Sequence, residues 1–409
     1  MSIGQNLVDA EAPRGEGPLP PGLAMLLRLG RDLRFGTLHV RLPGGTERSF
    51  SGSEPGPAAA LTIHDGRVVR RFLTGGAVGF AESYIDGDWD SPDLAALLEL
   101  LDRNYAAWSG HHHGGPVPRL LRRLLHLLRG NSRRGSRRNI HAHYDLGNDF
   151  FAAWLDPTLT YSSARFVDGI EDLEAAQIEK YRSLARLMLL APGQKLLEIG
   201  SGWGSFAILA AREFGAQVRS LTISKEQHAF ASRRVQELGL GDRVSIELCD
   251  YRDASGSYDR IASIEMFEAV GESWWPAYFG KLREVLVPGG MAGLQIITIA
   301  DRYFAEYRRS ADFIQRYIFP GGMLPSPTAL AQQVERAGLT IRDQLAFGGS
   351  YARTLGIWNR SFDAAWEKVM RLGFDERFRR LWTYYLAYCE AGFRTGSTDV
   401  VQVAVARPA

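Results

Sequence analysis

The clearest regularity in the chain is an alternation of short apolar runs with longer amphipathic stretches between residues 195 and 299. KLLEI at 195–199 leads into glycines at 200, 202 and 204, and an apolar run at 206–211 follows. This pattern spells a buried strand, a glycine turn and the start of a helix. Further strands are predicted at 217–224, 244–248, 258–266 and 291–299, the last after a Pro288-Gly289-Gly290 turn, with helices at 225–238 and 275–287. Strands alternating with helices of this length form βαβ units and a parallel sheet. A helix at 328–337, a strand at 340–347, an aromatic-rich helical region at 351–394 and a strand at 400–406 complete the pattern. The expected fold is α/β, a Rossmann-like and mostly parallel sheet.

Upstream the pattern changes. Residues 36–42 and 60–63 alternate like strands, a second set is expected at 68–73, and Pro92 opens a helix. Together these predict a small α+β domain over 23–105. Residues 1–22 have neither a basic start nor an apolar core and read as a disordered tail rather than a signal peptide. Residues 106–139 form a basic linker. Within it, 117–128 sets Leu120, Leu121, Leu124, Leu125, Leu127 and Leu128 on a broad face with Arg119, Arg122 and Arg123 interleaved. A basic amphipathic helix suits an anionic membrane surface, and packing on protein is the structural alternative. The catalytic domain is expected at 140–409. Its opening stretch, 140–165, is dense in polar and aromatic residues and placed to fold over a ligand as a lid. Residues 301–325 form an aromatic insertion suited to a greasy acceptor.

Composition changes this picture only in places. The 409 residues are 45% hydrophobic and 23% charged, which marks a globular chain, and the net charge of +2 says nothing about partners. Two cysteines, Cys249 and Cys389, argue against a disulfide framework and fit a reducing cytosol. No apolar run reaches the ~18 residues of a membrane-spanning helix. The triple His111–His113 has no acidic or cysteine neighbours, so no metal site is expected. The basic linker lacks aromatics to stack bases, so nucleic acid is not an expected partner.

Ligands on open parallel sheets sit beyond the carboxyl ends of the strands. Gly200, Gly202, Gly204, Thr222, Asp250 and residues 265–268 all fall at predicted strand ends. The spacing E-x-G-x-G-x-G differs from the dinucleotide pattern G-x-G-x-x-G. It resembles motif I of the class I S-adenosylmethionine (AdoMet) methyltransferases, where glycine lets the backbone approach the ligand.

A wider set of segments extends that resemblance. GFAESYIDGDWD (79–90), HYDLGNDFF (143–151), TYSSA (160–164), LLEIGSGWGSFA (196–207), LTISKEQ (221–227), DYRD (250–253), MFEAVG (266–271), FIQRYIFPGGMLPS (313–326), GGSYARTL around Tyr351 and TYYLAYCEAGFR (383–394) occur in this order. Over about residues 70 to 409 the chain resembles the cyclopropane-fatty-acyl-phospholipid synthase family, AdoMet-dependent enzymes that modify double bonds in membrane lipid acyl chains. The resemblance implies that Tyr161 and Ser162 close over the cofactor and that Gly200, Gly202 and Gly204 cradle its methionine end. Thr222 and Gln227 then take the ribose side, and Tyr251 and Arg252 flank the adenine. It also implies unsaturated phospholipids at an anionic membrane surface as substrate, and a cytoplasmic enzyme peripherally attached to the inner face of the membrane. A homodimer stays open.

The family reaction needs no nucleophilic side chain, because the π bond of the alkene attacks the methyl group; the protein must position the alkene, shield a cation and remove a proton. In the best-known members a bound bicarbonate is that base, held by a Cys, a Glu, a His and a Tyr. Here the Glu is Glu268 and the Tyr is Tyr351, but the Cys position reads Ser163 and the His position reads Ile297. Glu265 stands three residues before Glu268, where better-known members have glycine. A second carboxylate there is placed to replace the anion and act as base directly. The catalytic set expected from this reading is Glu268, Tyr351, Glu265 and Ser163, with AdoMet as methyl donor and bicarbonate poorly caged. The expected product is a cyclopropane acyl chain. A methyl-branched or methylene chain, a soluble methyl acceptor and a catalytically dead lipid-binding protein are the alternatives.

Overall fold

The computed structural model describes residues 27, 30–108, 146–309 and 311–409. The expected tail at 1–22, the amphipathic helix at 117–128, the His111–His113 triple and the first residues of the 140–165 stretch lie outside the described residues.

The amino-terminal part is built on four strands, β1 (Phe35–Arg41), β2 (Glu47–Ser51), β3 (Glu54–Ile63) and β4 (Trp89–Asp90), in the order β2-β1-β3-β4. β1 runs parallel to β3 and antiparallel to β2. Helix α1 (Arg67–Ile85) packs beside β4, and helix α2 (Leu94–Trp108) packs on β3 and β1. Asp93 starts α2 by accepting the amide of Ala96 at 2.9 Å, a side-chain cap for one of the unpaired amides of the first turn.

Residues 68–73 are not a strand as the pattern predicts; they are the first turns of α1. Val68 and Val69 are buried there against the sheet, so tertiary packing overrides the strand preference of a β-branched pair. The helix is kinked at Gly76, whose φ of 58° and ψ of −143° are open to glycine and not to a helical residue. Strand β2 goes unannounced in the sequence because none of its residues is buried, leaving no hydrophobic alternation to read.

After the short helix α3 (Asn148–Ala152) and α4 (Leu173–Leu187) comes the seven-stranded sheet. It contains β5 (Lys195–Ile199), β6 (Gln217–Thr222), β7 (Val244–Leu248), β8 (Tyr258–Ile264), β9 (Leu286–Ile299), β10 (Thr340–Ala346) and β11 (Thr398–Ala406), in the order β10-β11-β9-β8-β5-β6-β7. β5 through β9 pair in parallel, and β11 runs antiparallel to both of its neighbours. Helices α5 (Ser205–Glu213), α6 (Lys225–Glu237) and α7 (Trp275–Val285) make the crossovers. The predicted Pro288-Gly289-Gly290 turn lies inside β9, as an irregularity where the pairing with β8 shifts between Tyr258 and Arg260.

Between β9 and β10 lie α8 (Asp301–Tyr307), α9 (Phe313–Tyr317) and α10 (Pro327–Arg336). Between β10 and β11 lie α11 (Gly348–Ala364), α12 (Trp366–Arg371) and the long α13 (Glu376–Thr395). Asp375 caps α13 through the amide of Phe378 at 2.8 Å, and Gly396 ends it in the left-handed conformation, φ 70°.

α13 joins the two sheets into one packed body. Trp358, Trp382 and Phe362 share a hydrophobic core with Val40, Leu61, Phe80 and Trp89 of the four-stranded part. Arg380 fixes the contact by donating to the carbonyls of Tyr84 at 2.6 Å and Trp89 at 2.9 Å.

Candidate active site

A cavity of about 1140 Å³ opens beyond the carboxyl ends of β5, β6 and β8. Gly200, Gly202, Thr222, Gln227, Tyr251, Arg252, Tyr161, Ser162, Glu265, Glu268 and Tyr351 all line it. The stretch at 160–164, the loops after four strands and α11 meet there because the crossover topology gathers those loops at one edge.

At the glycine turn, Gly200 and Gly202 have φ of 96° and 50°, in the region that favours glycine. A Cβ built on Gly202 meets no atom within 4 Å, so the turn leaves open space of the kind a ligand fills. This open space fits the AdoMet that the resemblance implies. Gly204 does not line the cavity. It starts α5, and a Cβ there would lie 3.1 Å from the side chain of Ala231, so its glycine serves helix packing. Thr222 donates to Gln227 Oε1 at 3.1 Å and accepts from the amide of Ser224, a local brace for the loop after β6. Arg252 forms a two-point pair with Asp250, at 2.9 and 2.6 Å, and stacks over Trp274 at 5.1 Å. Tyr161 is hydrogen-bonded to Tyr385 at 2.7 Å and stacked on Trp358.

The carboxylates form the centre of the acceptor side. Glu265 Oε1 accepts from the backbone amide of Ser163 at 2.8 Å and from Gln295 Nε2 at 2.7 Å, and Oε2 accepts from the Tyr351 hydroxyl at 2.7 Å. Gln295 is itself held by Gln402 Nε2 at 3.0 Å. Burial pushes the Glu265 carboxyl above its ordinary value, against the pull of Lys180 and the three donors. Its φ is 49°, a left-handed conformation that costs a non-glycine residue about 1–3 kcal/mol unless its surroundings hold it there. The backbone thus keeps a shape suited to glycine, and the added carboxylate is fixed by three donors.

Glu268 Oε1 accepts the amide of Ile297 at 2.5 Å, while Oε2 is buried with no hydrogen-bond partner among the described residues. Burial, then the neighbouring Glu265, raise its pKa to about 8. Burial raises both carboxyls, but Glu265 has three donors and Lys180 to support its charged form, whereas Glu268 has one amide and a like charge beside it, which favours its neutral form.

Ser163 occupies the place where the resemblance puts a Cys ligand, but its hydroxyl is fully buried and donates to the carbonyl of Ala164 at 2.8 Å. It contributes its backbone amide and not its side chain, because the chain turns the hydroxyl away from the cavity. Ser163→Ala is accordingly expected to keep activity close to the unsubstituted protein, read as the initial rate of methyl transfer; a large loss would show that the hydroxyl has a role. Ile297 likewise donates its amide, to Glu268, and also lines the cavity. The donors that an exogenous anion would need, Ser163 N and the Tyr351 hydroxyl, are already taken by Glu265.

Two residues of the site go unmarked by motif reasoning. Gln295 carries a signal, a polar side chain in the otherwise apolar run LQIITI. Lys180 carries none: it looks like a solvent-facing helix lysine, yet it is fully buried and donates to the hydroxyl of Ser162, and burial lowers its pKa to about 7. Among the described residues no group of three His, Cys, Asp or Glu side chains is arranged to hold a metal, and no helix is long and apolar enough to cross a membrane.

Residues 131–403 match the family described as Mycolic acid cyclopropane synthetase. The chain is 40% identical to the tuberculostearic acid methyltransferase UfaA1 of Mycobacterium tuberculosis, over 96% of this chain and 93% of that protein. It is 34% identical to the cyclopropane-fatty-acyl-phospholipid synthase of Escherichia coli, over 88% of this chain and 90% of that one. Among solved structures, the mycolic acid cyclopropane synthase CmaA1 in complex with SAH and CTAB is 31% identical. It superposes with a TM-score of 0.62 over 66% of this chain and 98% of that one.

Proposed function

The chain belongs to the mycolic acid cyclopropane synthetase family of AdoMet-dependent methyltransferases, whose other members here are lipid-modifying enzymes, and from that premise we propose a specific reaction: C-methylation of a cis double bond in an unsaturated phospholipid acyl chain, closing a cyclopropane ring. The observation that carries this reading is the Glu265 carboxylate, held by Ser163 N, Gln295 and Tyr351 inside an apolar-walled cavity beside the glycine cradle.

AdoMet supplies the electrophilic methyl group of a sulfonium. Gly200 and Gly202 would receive its methionine end, Thr222 and Gln227 its ribose side, and Tyr251 and Arg252 its adenine. The alkene carbon that gains the methyl leaves a cationic centre on its neighbour. Aromatic walls from Tyr161, Tyr351 and Tyr385 exclude water that would trap this cation. Glu265 then accepts a proton from the newly added methyl group, and the electron pair of that C–H bond closes the ring. Tyr351 and Gln295 are positioning residues, which keep the carboxylate ionised and aimed. Glu268 stays protonated and shapes the wall.

A second product, a methylene- or methyl-branched chain from the same substrate, is favoured by the 40% identity to a tuberculostearic acid methyltransferase. It differs in a 1,2-hydride shift that moves the cation to the methyl-bearing carbon, from whose methyl group a proton then leaves to give the methylene, and the saturated branch needs a separate reductant. The basic segment at 117–138 supports an anionic membrane surface as the place of work. We read 23–105 as an amino-terminal domain, 106–139 as a linker and 140–409 as the catalytic domain.

Incubating the purified protein with AdoMet and vesicles of cis-unsaturated phospholipid is expected to give acyl chains heavier by one CH2. Ozonolysis separates the outcomes, since an exocyclic methylene is cleaved and a ring is not. Unchanged acyl chains with every cis-unsaturated phospholipid would sink the reading.

A further inference from the structure

We propose that the arm of the cavity between the four-stranded sheet and helices α1 and α2 is a binding site for an acyl tail of the lipid substrate. The inference rests on the acyl-chain reading above. The same continuous cavity that holds the glycine turn and Glu265 is also walled by Leu38 and Val40 of β1, Leu61 and Ile63 of β3, and Leu97 and Leu98 of α2. All six are buried, and β1 and β3 present no polar side chain to it.

Interiors normally close-pack, so a void in the middle of an apolar core calls for an occupant. A cavity lined in this way stays dry and takes apolar guests. At about 1140 Å³ the whole exceeds the roughly 300–1,000 Å³ of a pocket for one small ligand, which leaves room for a second guest beside AdoMet.

The kink in α1 adds to this. Gly76, at the kink, lines the cavity, and a Cβ built on it meets no atom within 4 Å. A charged headgroup has no partner along β1 and β3, whereas a hydrocarbon tail needs none. The tail is either the end of the reacting chain beyond its double bond or the neighbouring chain of the same lipid; the chemistry is shared, and substrate series separate the two.

Two variants narrow the arm from opposite walls: Val40→Phe from the sheet, and Leu98→Phe from α2. Each is assayed with AdoMet and phosphatidylglycerol vesicles in two series. One lengthens the unsaturated chain beyond a fixed double bond, and the other lengthens the second, saturated chain. AdoMet affinity by calorimetry and the melting profile report whether each variant is folded.

The expected result is a shift toward shorter tails in one series, with the longest substrate losing about 10-fold or more, at unchanged AdoMet affinity. The series that responds identifies the tail. If folded Leu98→Phe and Val40→Phe both keep the length profile of the parent in both series, the inference is overturned. A phosphatidylglycerol carrying a diazirine at the tip of its acyl tail gives a readout free of folding doubts. Peptides from β1, β3, α1 or α2 should be labelled, and labelling confined to other elements counts against the site. A parent protein that methylates no unsaturated lipid, by contrast, is the failure of the proposed function and not of the arm alone.

Discussion

Replacing Glu265 with Gln is expected to slow methylation of unsaturated phospholipid by about 10²–10⁴-fold, the usual cost of losing a positioned general base. The amide can still accept from Ser163 N, so the fold and AdoMet affinity should hold while the rate collapses. The parent rate should fall as the pH is lowered, because acid protonates the carboxylate that must be ionised to take the proton; Glu265→Gln should lose that limb of the profile. Glu268→Gln is the matched control. With a pKa of about 8, Glu268 is mostly neutral near pH 7, and Gln keeps the contact with Ile297 N, so this variant should cost far less. Equal losses in the two variants would mean that the roles of the two carboxylates are wrongly divided.

Trp358→Ala is expected to destabilise the protein by about 3–5 kcal/mol, the range for truncating a buried aromatic. Trp358 is fully buried, stacks on Tyr161 at 5.3 Å, and meets Trp154 edge-on at 5.8 Å and Tyr351 at 6.2 Å. It thus joins the 146–165 stretch to α11, and its loss leaves a void behind both Tyr161 and Tyr351. The urea midpoint should drop sharply, and activity should fall at temperatures where the variant is still folded, because Tyr351 no longer holds its hydroxyl on Glu265. An unchanged midpoint would show that this aromatic cluster packs loosely.

The parallel sheet was legible because β5, β6 and β8, buried over much of their length, are short segments bearing apolar residues that recur between helix-length stretches. β2, with no buried residue, has no such mark, and 68–73 reads as a strand until the packing of α1 decides otherwise. The same division holds in the site. Acids and glycines at strand ends stand out, which is why Glu265 and Glu268 could be placed at the site, while their catalytic roles were implied by the family resemblance. Backbone donors leave no trace in the sequence: Ser163 and Ile297 look like lost ligands, yet each gives its amide to a glutamate. Lys180 is invisible for another reason. Its burial depends on the 160–164 segment folding over α4, a contact between residues distant in the sequence, seen in its bond to Ser162 and its place over the Tyr181 ring.

The central claim is that a carboxylate of the chain itself has taken the place of an exogenous anion as the base. Its most direct test is the turnover of the unsubstituted enzyme on unsaturated phospholipid vesicles in buffer freed of carbon dioxide, with bicarbonate then added back. The geometry at Glu265 predicts a rate that does not change across the titration, and a rate that starts near zero and climbs with bicarbonate would contradict it.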